Sequence, residues 1–173
     1  MNNKKKTKIL ILGGTGFIGY HLIKKCVQIK WDVTTISKSI PLGEKFIKGV
    51  KYKKLDLKKF KNLKKIKKNY DYIVNSSGYI NNNIKTKYKK DHFKILKNLV
   101  DHFKYSKIKS FLQIGSSAEY GGKKSPQFET AKCKPKSPYG RDKLNCTNYL
   151  IKAYKLFGFP SVIFRVYQAY GPM

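Results

Sequence analysis

Apolar positions follow two patterns that alternate along this chain, short unbroken runs and faces that repeat at helical spacing. The unbroken runs predict parallel strands that are buried on both faces, because a strand with one wet face would alternate with polar residues. The helical repeats predict amphipathic helices that cover the sheet. The predicted strands are 8–12, 31–37, 50–57, 70–75, 110–115 and 159–165. The predicted helices comprise one that contains 20–27 and three at 57–69, 91–105 and 139–157.

Regular alternation of strands and helices predicts a doubly wound α/β fold. The expected architecture is a Rossmann fold, a three-layer α/β/α arrangement around a parallel sheet of about six strands in the order 3-2-1-4-5-6. We expect one domain spanning residues 1–173, with a basic tail at residues 1–6. Ligands of such sheets bind at the carboxyl ends of the strands, so the candidate site residues are those that follow each strand.

The first strand runs directly into a glycine-rich turn and then into a helix. Gly14-x-Gly16-x-x-Gly19 is the spacing that lets the backbone approach a pyrophosphate at a helix N-terminus. Its place between a strand and a helix favours dinucleotide binding over a simple turn. We therefore predict NAD or NADP as the cofactor, bound by Gly13, Gly14, Thr15, Gly16, Phe17, Ile18 and Gly19.

The end of the second strand bears on which of the two cofactors is used. A sheet that binds NAD usually carries an acidic residue about 20 residues past the glycines, where it binds the ribose hydroxyls. This chain has Ser37 and Lys38 there instead. A hydroxyl and an ammonium suit a 2′-phosphate, which favours NADP. The alternative interpretation is that Lys38 is one more solvated lysine.

Two further turns at the same edge complete the predicted cofactor site. Asp56 and Leu57 end the third strand, and the carboxylate there can contact an adenine amino group or cap the next helix. Ser76, Ser77 and Gly78 follow the fourth strand. Because these residues are small, the backbone can again approach a cofactor at this point.

Tyr139 and Lys143 lie four residues apart on a predicted helix, so their side chains share one face. A neighbouring ammonium and a positive nicotinamide ring would lower the pKa of the phenol, which could then take a proton from an alcohol or return one to a ketone. Lys143 can also bind the nicotinamide ribose, and Ser116 can hydrogen-bond the same substrate oxygen. Since Tyr-x-x-x-Lys arises often by chance in a lysine-rich chain, the pair indicates hydride transfer only together with the glycine turn.

The formal net charge of +30 raises the question of nucleic-acid binding. The lysines are spread over the whole chain, and arginine, the better phosphate ligand, occurs only at Arg141 and Arg165. We therefore expect weak, salt-sensitive association with polyanions and no specific nucleic-acid partner.

Cysteines and histidines give no sign of a metal site. Cys26, Cys133 and Cys146 lack a C-x-x-C spacing, and we interpret His92 and His102 as ordinary helix residues because neither has a ligand partner at suitable spacing. Reduced thiols are typical of a cytoplasmic protein, which is the expected location. We also expect no signal peptide and no membrane association, since no apolar run is long enough to cross a bilayer.

Six motifs together resemble the extended short-chain dehydrogenase/reductase family, specifically its NAD(P)-dependent nucleotide-sugar epimerases and dehydratases. In chain order they are Gly13-Gly-Thr-Gly-Phe-Ile-Gly19, Leu55-Asp-Leu57, Asn75-Ser-Ser-Gly78, Gly115-Ser-Ser-Ala-Glu-Tyr-Gly121, Ser137-Pro-Tyr-Gly-Arg-Asp-Lys143 and Arg165-Val-Tyr-Gln-Ala-Tyr-Gly-Pro172.

The resemblance implies an enzyme that oxidises or reduces a nucleotide sugar at C4 with the cofactor kept bound. It assigns Tyr139 as the acid/base, Lys143 as its partner and Ser116 as the catalytic hydroxyl. Ser116, Ser117 and Gln168 would contact the sugar, with Gln168 in place of the asparagine that many family members have. A homodimer through helices 91–105 and 139–157 is a further expectation from the resemblance.

Two departures from the family pattern narrow the prediction. The 4,6-dehydratases carry an Asp-Glu pair directly after the catalytic hydroxyl, whereas this chain has Ser117 and Ala118 there and Glu119 one position later. We therefore favour a 4-epimerase or 4-ketoreductase. Relatives continue for well over a hundred residues into a C-terminal substrate domain, which we expect to be absent here. The chain is then a fragment or a naturally short protein, and the alternative function is an NAD(P)-binding module without turnover of its own.

Overall fold

The computed structural model describes residues 5–78, 91–122 and 125–172. Within them, six parallel strands form one sheet in the order β3-β2-β1-β4-β5-β6, as predicted. The strands are β1 (Lys8–Leu12), β2 (Asp32–Ser37), β3 (Lys51–Lys54), β4 (Tyr72–Asn75), β5 (Ser110–Ser116) and β6 (Ser161–Val166). The α-helices are α1 (Phe17–Gln28), α2 (Phe60–Leu63), α3 (Asp91–Phe103) and α4 (Pro138–Phe157), and short 3-10 turns occur at Gly43–Lys45 and Ser117–Glu119.

Side chains of β1 point alternately into two separate apolar cores, one on each face of the sheet. Leu10 and Leu12 pack in the larger core, which includes Phe103 of α3 and Leu150 of α4. The smaller core contains Ile9 and Ile11, together with Ile23 of α1 and Val33 of β2. Two cores on opposite faces confirm the three-layer prediction and explain why the strand shows no polar alternation.

Helix α2 is much shorter than the predicted helix 57–69. Only Phe60–Leu63 is α-helical, and the following residues form turns in which Lys65 and Ile66 donate to carbonyls three positions back. No side chain caps this helix, and lysines at three- and four-residue spacing repel one another along it. Leu63 and Ile66 are nevertheless buried, so the predicted apolar contact survives, whereas Phe60 is 52% exposed.

Other strand and helix ends agree with the predictions or differ by at most three residues, and one of these differences matters for the site. Strand β5 continues to Ser116, one residue beyond the predicted end. Ser116 pairs with Val166 at the last rung of the β5–β6 ladder. Its hydroxyl is therefore presented by a rigid strand end. Strand β6 begins at Ser161, two residues after the predicted start, and Phe159 before it packs in the core against Phe111 at a ring-centroid distance of 5.3 Å.

Among the described residues, no helix has the length and apolar character that a bilayer crossing requires.

Candidate active site

The glycine turn, residues 13–19, joins β1 to α1 at the carboxyl edge of the sheet. Gly13 adopts a φ of +84°, which favours glycine, and its N–H donates to Ile36 O over 2.8 Å. A Cβ on Gly13 would also lie 2.8 Å from Ser77 Cα. The turn is thus held tightly between the ends of β2 and β4, as a strand-to-helix turn in this fold requires.

The space around the glycines separates those that the fold requires from one that it does not. A Cβ on Gly19 would overlap Gly13 O and lie 2.7 Å from Gly14 Cα, so α1 packs too closely for any side chain there. A Cβ on Gly14 would collide with Thr35 Oγ1. A Cβ on Gly16, in contrast, would come no nearer than 3.4 Å to Gly13 O. The fold therefore leaves room at Gly16 that a ligand can use.

The N-terminus of α1 is suited to an anion. Gly16 is the N-cap residue, and no side chain caps the first turn, Phe17–Gly19, in this described segment. The first turn also carries no acidic residue. Backbone N–H groups and the positive end of the helix dipole therefore face the space above Gly16, so the turn fits the diphosphate of a dinucleotide.

The end of β2 lies beside this turn. Ser37 Oγ accepts a hydrogen bond from Thr15 N–H over 3.3 Å, and Lys38 is exposed at the strand end. Beyond β3, Asp56 Oδ1 accepts from Lys58 N–H over 3.0 Å in the turn before α2. The N-cap residue of α2 is Lys59, so this bond is not the helix cap that the sequence offered as one alternative, and the adenine contact stays a prediction. Leu57 is buried in the larger core and contributes packing to this edge.

The turn after β4 lies between the glycine turn that follows β1 and the end of β5. Ser76 Oγ donates to Leu12 O over 2.7 Å, and the Ser77 hydroxyl donates to Asn75 Oδ1. Asn75 Nδ2 in turn donates to Gln113 Oε1 on β5 over 2.8 Å. The small residues of this turn are thus fixed to both neighbouring strands.

Gly78, at the end of that turn, lies close to Lys143, one of the predicted catalytic residues. A Cβ built on Gly78 would be 3.1 Å from His92 Cε1 and 3.9 Å from Lys143 Nζ. The backbone at Gly78 and the ammonium of Lys143 therefore border the same space.

Helix α4 begins at Pro138, and its N-cap Ser137 accepts a hydrogen bond from Gly140 N–H over 3.0 Å. This start places Tyr139 and Lys143 on the first two turns, facing the end of β5. Lys143 Nζ donates to Ile114 O over 2.9 Å and lies 5.8 Å from the centroid of the Tyr139 ring.

Tyr139, Lys143 and the Ser116 hydroxyl are thus close together in the fold, although 23 residues separate Ser116 from Tyr139 along the chain. Burial raises the pKa of Tyr139, a hydrogen bond with Ser116 lowers it, and the charge of Glu119 raises it. The net direction is upward because burial dominates, and burial also lowers the pKa of Lys143. The lowering expected from the sequence was for a phenol that faces both Lys143 and a nicotinamide ring, and it stays a prediction.

Comparison with known sequences identifies the family to which this site belongs. The sequence model of the NAD dependent epimerase/dehydratase family matches residues 9–173. This chain belongs to that family. The match contains the glycine turn, Ser116, Tyr139 and Lys143, and it confirms the resemblance seen in the six motifs.

Curated relatives in this family include enzymes with two different names. The chain is 28% identical to a dTDP-D-glucose 4,6-dehydratase of Dictyostelium discoideum, over 99% of this chain and 46% of the relative. It is 29% identical to the uncharacterized UDP-glucose epimerase YtcB of Bacillus subtilis, over 95% of this chain and 57% of the relative. The chain therefore spans about half the length of the curated relatives it matches.

Solved structures of epimerases share the fold. The UDP-glucuronic acid 4-epimerase of Bacillus cereus in complex with NAD superposes with a TM-score of 0.80 at 25% identity, over 96% of this chain and 58% of the epimerase. The UDP-N-acetylglucosamine 4-epimerase of Methanobrevibacter ruminantium M1 gives a TM-score of 0.82 at 26% identity, over 93% and 55% of the two chains.

Two residues that sequence reasoning did not assign to the site are found beside it in this family member. The His92 ring, interpreted above as an ordinary helix residue, lies 5.7 Å from the Tyr139 ring in an edge-on contact. Its backbone N–H donates to Asp142 Oδ2 over 3.1 Å, and Asp142 is 3% exposed. No spacing signal links His92 to Tyr139, because 47 residues separate them.

Glu119 is the other residue beside the site. Its position next to the Ser116-Ser117 pair was visible in the sequence, but its contacts were not. The carboxylate is 0% exposed and forms an ion pair with Arg165 over 3.0 Å. Besides Ser116, the predicted sugar contacts are Ser117 and Gln168. Ser117 opens the 3-10 turn next to Ser116, whereas Gln168 lies exposed after β6.

Metal ligands do not cluster in this structure. Within residues 5–78, 91–122 and 125–172, no group of three or more His, Cys, Asp or Glu side chains could hold a metal ion. All three cysteines are free thiols.

Proposed function

We propose that this chain forms the cofactor-binding and catalytic part of an NAD(P)-dependent nucleotide-sugar 4-epimerase or 4-ketoreductase. The observation that carries the proposal is the placement of Ser116, Tyr139 and Lys143 at the same sheet edge as the open glycine turn. A dinucleotide whose diphosphate lies above Gly16 would extend its nicotinamide end toward the Gly78–Lys143 side, as ligands of this fold do.

Each side chain then has one task. The Tyr139 phenolate accepts the proton of the sugar C4 hydroxyl, and the Ser116 hydroxyl hydrogen-bonds the same oxygen while it becomes a carbonyl. Lys143 binds the nicotinamide ribose and favours the phenolate electrostatically. The bound NAD(P) supplies hydride acceptance and return, together with a positive ring that lowers the pKa of the phenol. Return of the proton from Tyr139 regenerates an alcohol at C4.

The buried position of Glu119 supports epimerisation or ketoreduction over 4,6-dehydration. Removal of water from a sugar needs an acid and a base that touch the substrate. In the described part of the site, Ser117 and Ala118 follow Ser116 without a carboxylate, and the Glu119 carboxylate is 0% exposed with both oxygens hydrogen-bonded. The dehydratase name of the Dictyostelium discoideum relative therefore does not extend to this chain in our proposal.

The preference for NADP is part of the same proposal. Strand β2 ends in Ser37, with Lys38 exposed next to it and no acidic side chain in that turn of the described chain. The Lys38 ammonium can pair with a 2′-phosphate. Lys38→Ala should weaken NADP⁺ binding about tenfold and leave NAD⁺ binding within about twofold. Lys45→Ala, another exposed lysine, is the matched control, and equal losses for both cofactors would contradict the preference.

A homodimer through α3 and α4 is also proposed. The two helices pack on each other within the chain, with the Phe93 and Tyr149 rings 5.6 Å apart. Helix α4 also exposes Ile151 and Tyr154, at 45% and 64%. Sedimentation should give twice the chain mass, and Ile151→Lys should give monomers. Ile29→Lys, at an equally exposed isoleucine, is the control; monomers in the unmutated protein would contradict the dimer.

Activity is tested with NAD⁺ or NADP⁺ and a panel of UDP-, dTDP-, CDP- and GDP-sugars. Tyr139→Phe should lower turnover at least about 100-fold without weakening cofactor binding, since only proton transfer is lost. Tyr105→Phe is the matched control because Tyr105 is 84% exposed. Cofactor binding without turnover of any sugar would favour the binding-module alternative, and full activity of Tyr139→Phe would contradict the assigned role.

A further inference from the structure

Two acidic side chains are fully buried in the described chain, and both lie at the candidate active site. Glu119 is 0% exposed and Asp142 is 3% exposed, in a protein with only nine acidic residues and a net charge of +30. Burying a carboxylate costs free energy unless it is paired and hydrogen-bonded. What Glu119 contacts therefore indicates what this buried charge does.

The two oxygens of Glu119 contact different elements. Oε1 accepts the backbone N–H of Ser116 over 2.9 Å. Oε2 accepts the Thr147 hydroxyl of α4 over 2.7 Å and Arg165 Nε of β6 over 3.0 Å. One carboxylate thus fastens the last residue of β5 to both a helix and the neighbouring strand.

Arg165 is itself held in place. Its guanidinium carbon lies 4.7 Å from the centroid of the Tyr120 ring, and its Nη1 donates to Glu129 O over 3.3 Å. The side chain is only 16% exposed. Since Arg165 cannot easily move, the Glu119 carboxylate has little freedom, and neither does the Ser116 amide bound to it.

The Ser116 hydroxyl depends on the same turn. Its Oγ accepts from Ala118 N–H over 3.2 Å and also from the backbone of Glu119, while the Glu119 side chain accepts Ser116 N–H, so the two residues form a reciprocal capping box around a single 3-10 turn. This hydroxyl also hydrogen-bonds Tyr139, and that bond lowers the pKa of the phenol against the larger effect of burial. The direction of the hydroxyl toward Tyr139 therefore follows from how the turn is fixed.

We propose that Glu119, anchored by Arg165 and Thr147, is a positioning residue that aims the Ser116 hydroxyl at the reacting oxygen beside Tyr139. This inference rests on the proposed function, because Ser116 needs a substrate oxygen to act on. It differs from a purely structural ion pair in one respect: the effect of Glu119 on the reaction passes through Ser116.

A double-mutant cycle separates those two possibilities. Glu119→Gln places at least one amide N–H against another donor, because Ser116 N–H and Arg165 both donate to this side chain. In the otherwise unmutated protein, Glu119→Gln should lower kcat about tenfold and leave cofactor affinity within about twofold. In the Ser116→Ala background the same change should alter the rate less than about twofold. Glu44→Gln, at an exposed glutamate, is the matched control.

Rates are measured as conversion of the sugar with the enzyme in excess, analysed by chromatography over hours, so that the slow Ser116→Ala background remains measurable. Equal losses from Glu119→Gln in both backgrounds, or a loss explained by weaker cofactor binding, would overturn the proposal. If Glu119→Gln does not fold, Glu119→Asp takes its place, since it keeps the charge but is too short to reach both Ser116 and Arg165.

Failure of the proposed function is distinguished by a measurement that needs no sugar. In the NAD⁺-bound protein, NMR spectra should show that Glu119→Gln moves the Ser116 amide proton and the Tyr139 Cζ resonance, whereas Glu44→Gln moves neither. Because the charge of Glu119 also acts directly on Tyr139, the Tyr139 shift is measured again in the Ser116→Ala background, where it should be clearly smaller. If no sugar is turned over but the Tyr139 shift depends on Ser116, the coupling is supported and the reaction assignment alone fails. A Tyr139 shift of the same size in both backgrounds, or no shift at all, would overturn the positioning role.

Discussion

The glycine turn and the corner around Glu119 lie at the same sheet edge but are built in opposite ways. In the glycine turn, a missing side chain makes room for backbone, and close packing comes from atoms within residues 13–19 and the strand ends beside them. In the Glu119 corner, defined as Ser116, Glu119, Thr147 and Arg165, one buried carboxylate connects the backbone of β5 with side chains of α4 and β6.

This difference teaches how each part tolerates change. A turn made from backbone fails when any atom is added where the fold is tight, but it accepts one where space remains. A corner made from a buried ion pair fails when one partner is removed, because the other charge is left in a region of low dielectric. The predictions below break each region in turn, beginning with the largest expected effect.

Arg165→Met should destabilise the protein by about 4 kcal/mol, because it leaves the fully buried Glu119 carboxylate without its cation. Urea unfolding gives the loss directly. Arg141→Met is the matched control, since the other arginine of the chain is exposed and its Nη1 donates to Lys136 O. Comparable losses for both arginines would mean that the corner is not a special site of stability.

Gly19→Ala should cost about 3 kcal/mol of unfolding free energy, since the new Cβ would overlap the Gly13 carbonyl and press on Gly14. Urea unfolding measures this loss as a lower midpoint concentration with an unchanged dependence of the unfolding free energy on urea. A protein that keeps the midpoint of the unmutated chain would show that α1 is not packed on the turn as described.

Gly16→Ala should separate folding from binding at the same turn. Unfolding free energy should change by less than about 0.5 kcal/mol, since a Cβ there meets only an ordinary contact. NAD⁺ affinity should fall at least about tenfold, because the methyl group occupies space that the diphosphate needs. Calorimetric titration measures the affinity, and unchanged binding would refute the proposed place of the diphosphate.

The smallest effect is expected far from both regions, at His102. Burial lowers the pKa of this imidazole below 6.5, and its Nε2 is 3.0 Å from Ile66 O. As the pH falls below 6.5, His102 takes up a proton in the unfolded chain before it does so in the folded chain. The free energy of unfolding therefore decreases until the pH has passed the lowered pKa of the folded state. Between about pH 7.5 and about pH 5, the unmutated protein should lose more stability than His102→Gln. Parallel pH curves would show that folding does not lower the pKa of His102.

Much of the fold could be predicted from the sequence because its signals are local. The unbroken run in β1 and the glycine spacing each occupy fewer than about ten residues, and the sheet order follows from the alternation of strands and helices. The short α2 could not be foreseen from apolar spacing alone, since no side chain caps this helix and its lysines repel one another along it.

In the candidate site, too, contacts between residues close in sequence could be predicted and contacts between distant residues could not. Tyr139 and Lys143 could be paired because four residues on a helix set their geometry. The contacts of Glu119 could not, because Thr147 lies 28 residues away and Arg165 lies 46 residues away along the chain. Nothing local marks a glutamate as buried, and the same holds for His92 beside Tyr139.

The central claim is that a dinucleotide lies across the carboxyl edge, with its diphosphate at Gly16 and its nicotinamide beside Tyr139. Amide-resolved NMR titration with NAD⁺ tests it most directly. We expect saturable chemical-shift changes of the amides in residues 13–19 and 139–143. We expect none at Lys8 or Asp71, which lie at the amino ends of β1 and β4. Shifts at those amino ends, or none in the glycine turn at saturating NAD⁺, would contradict it.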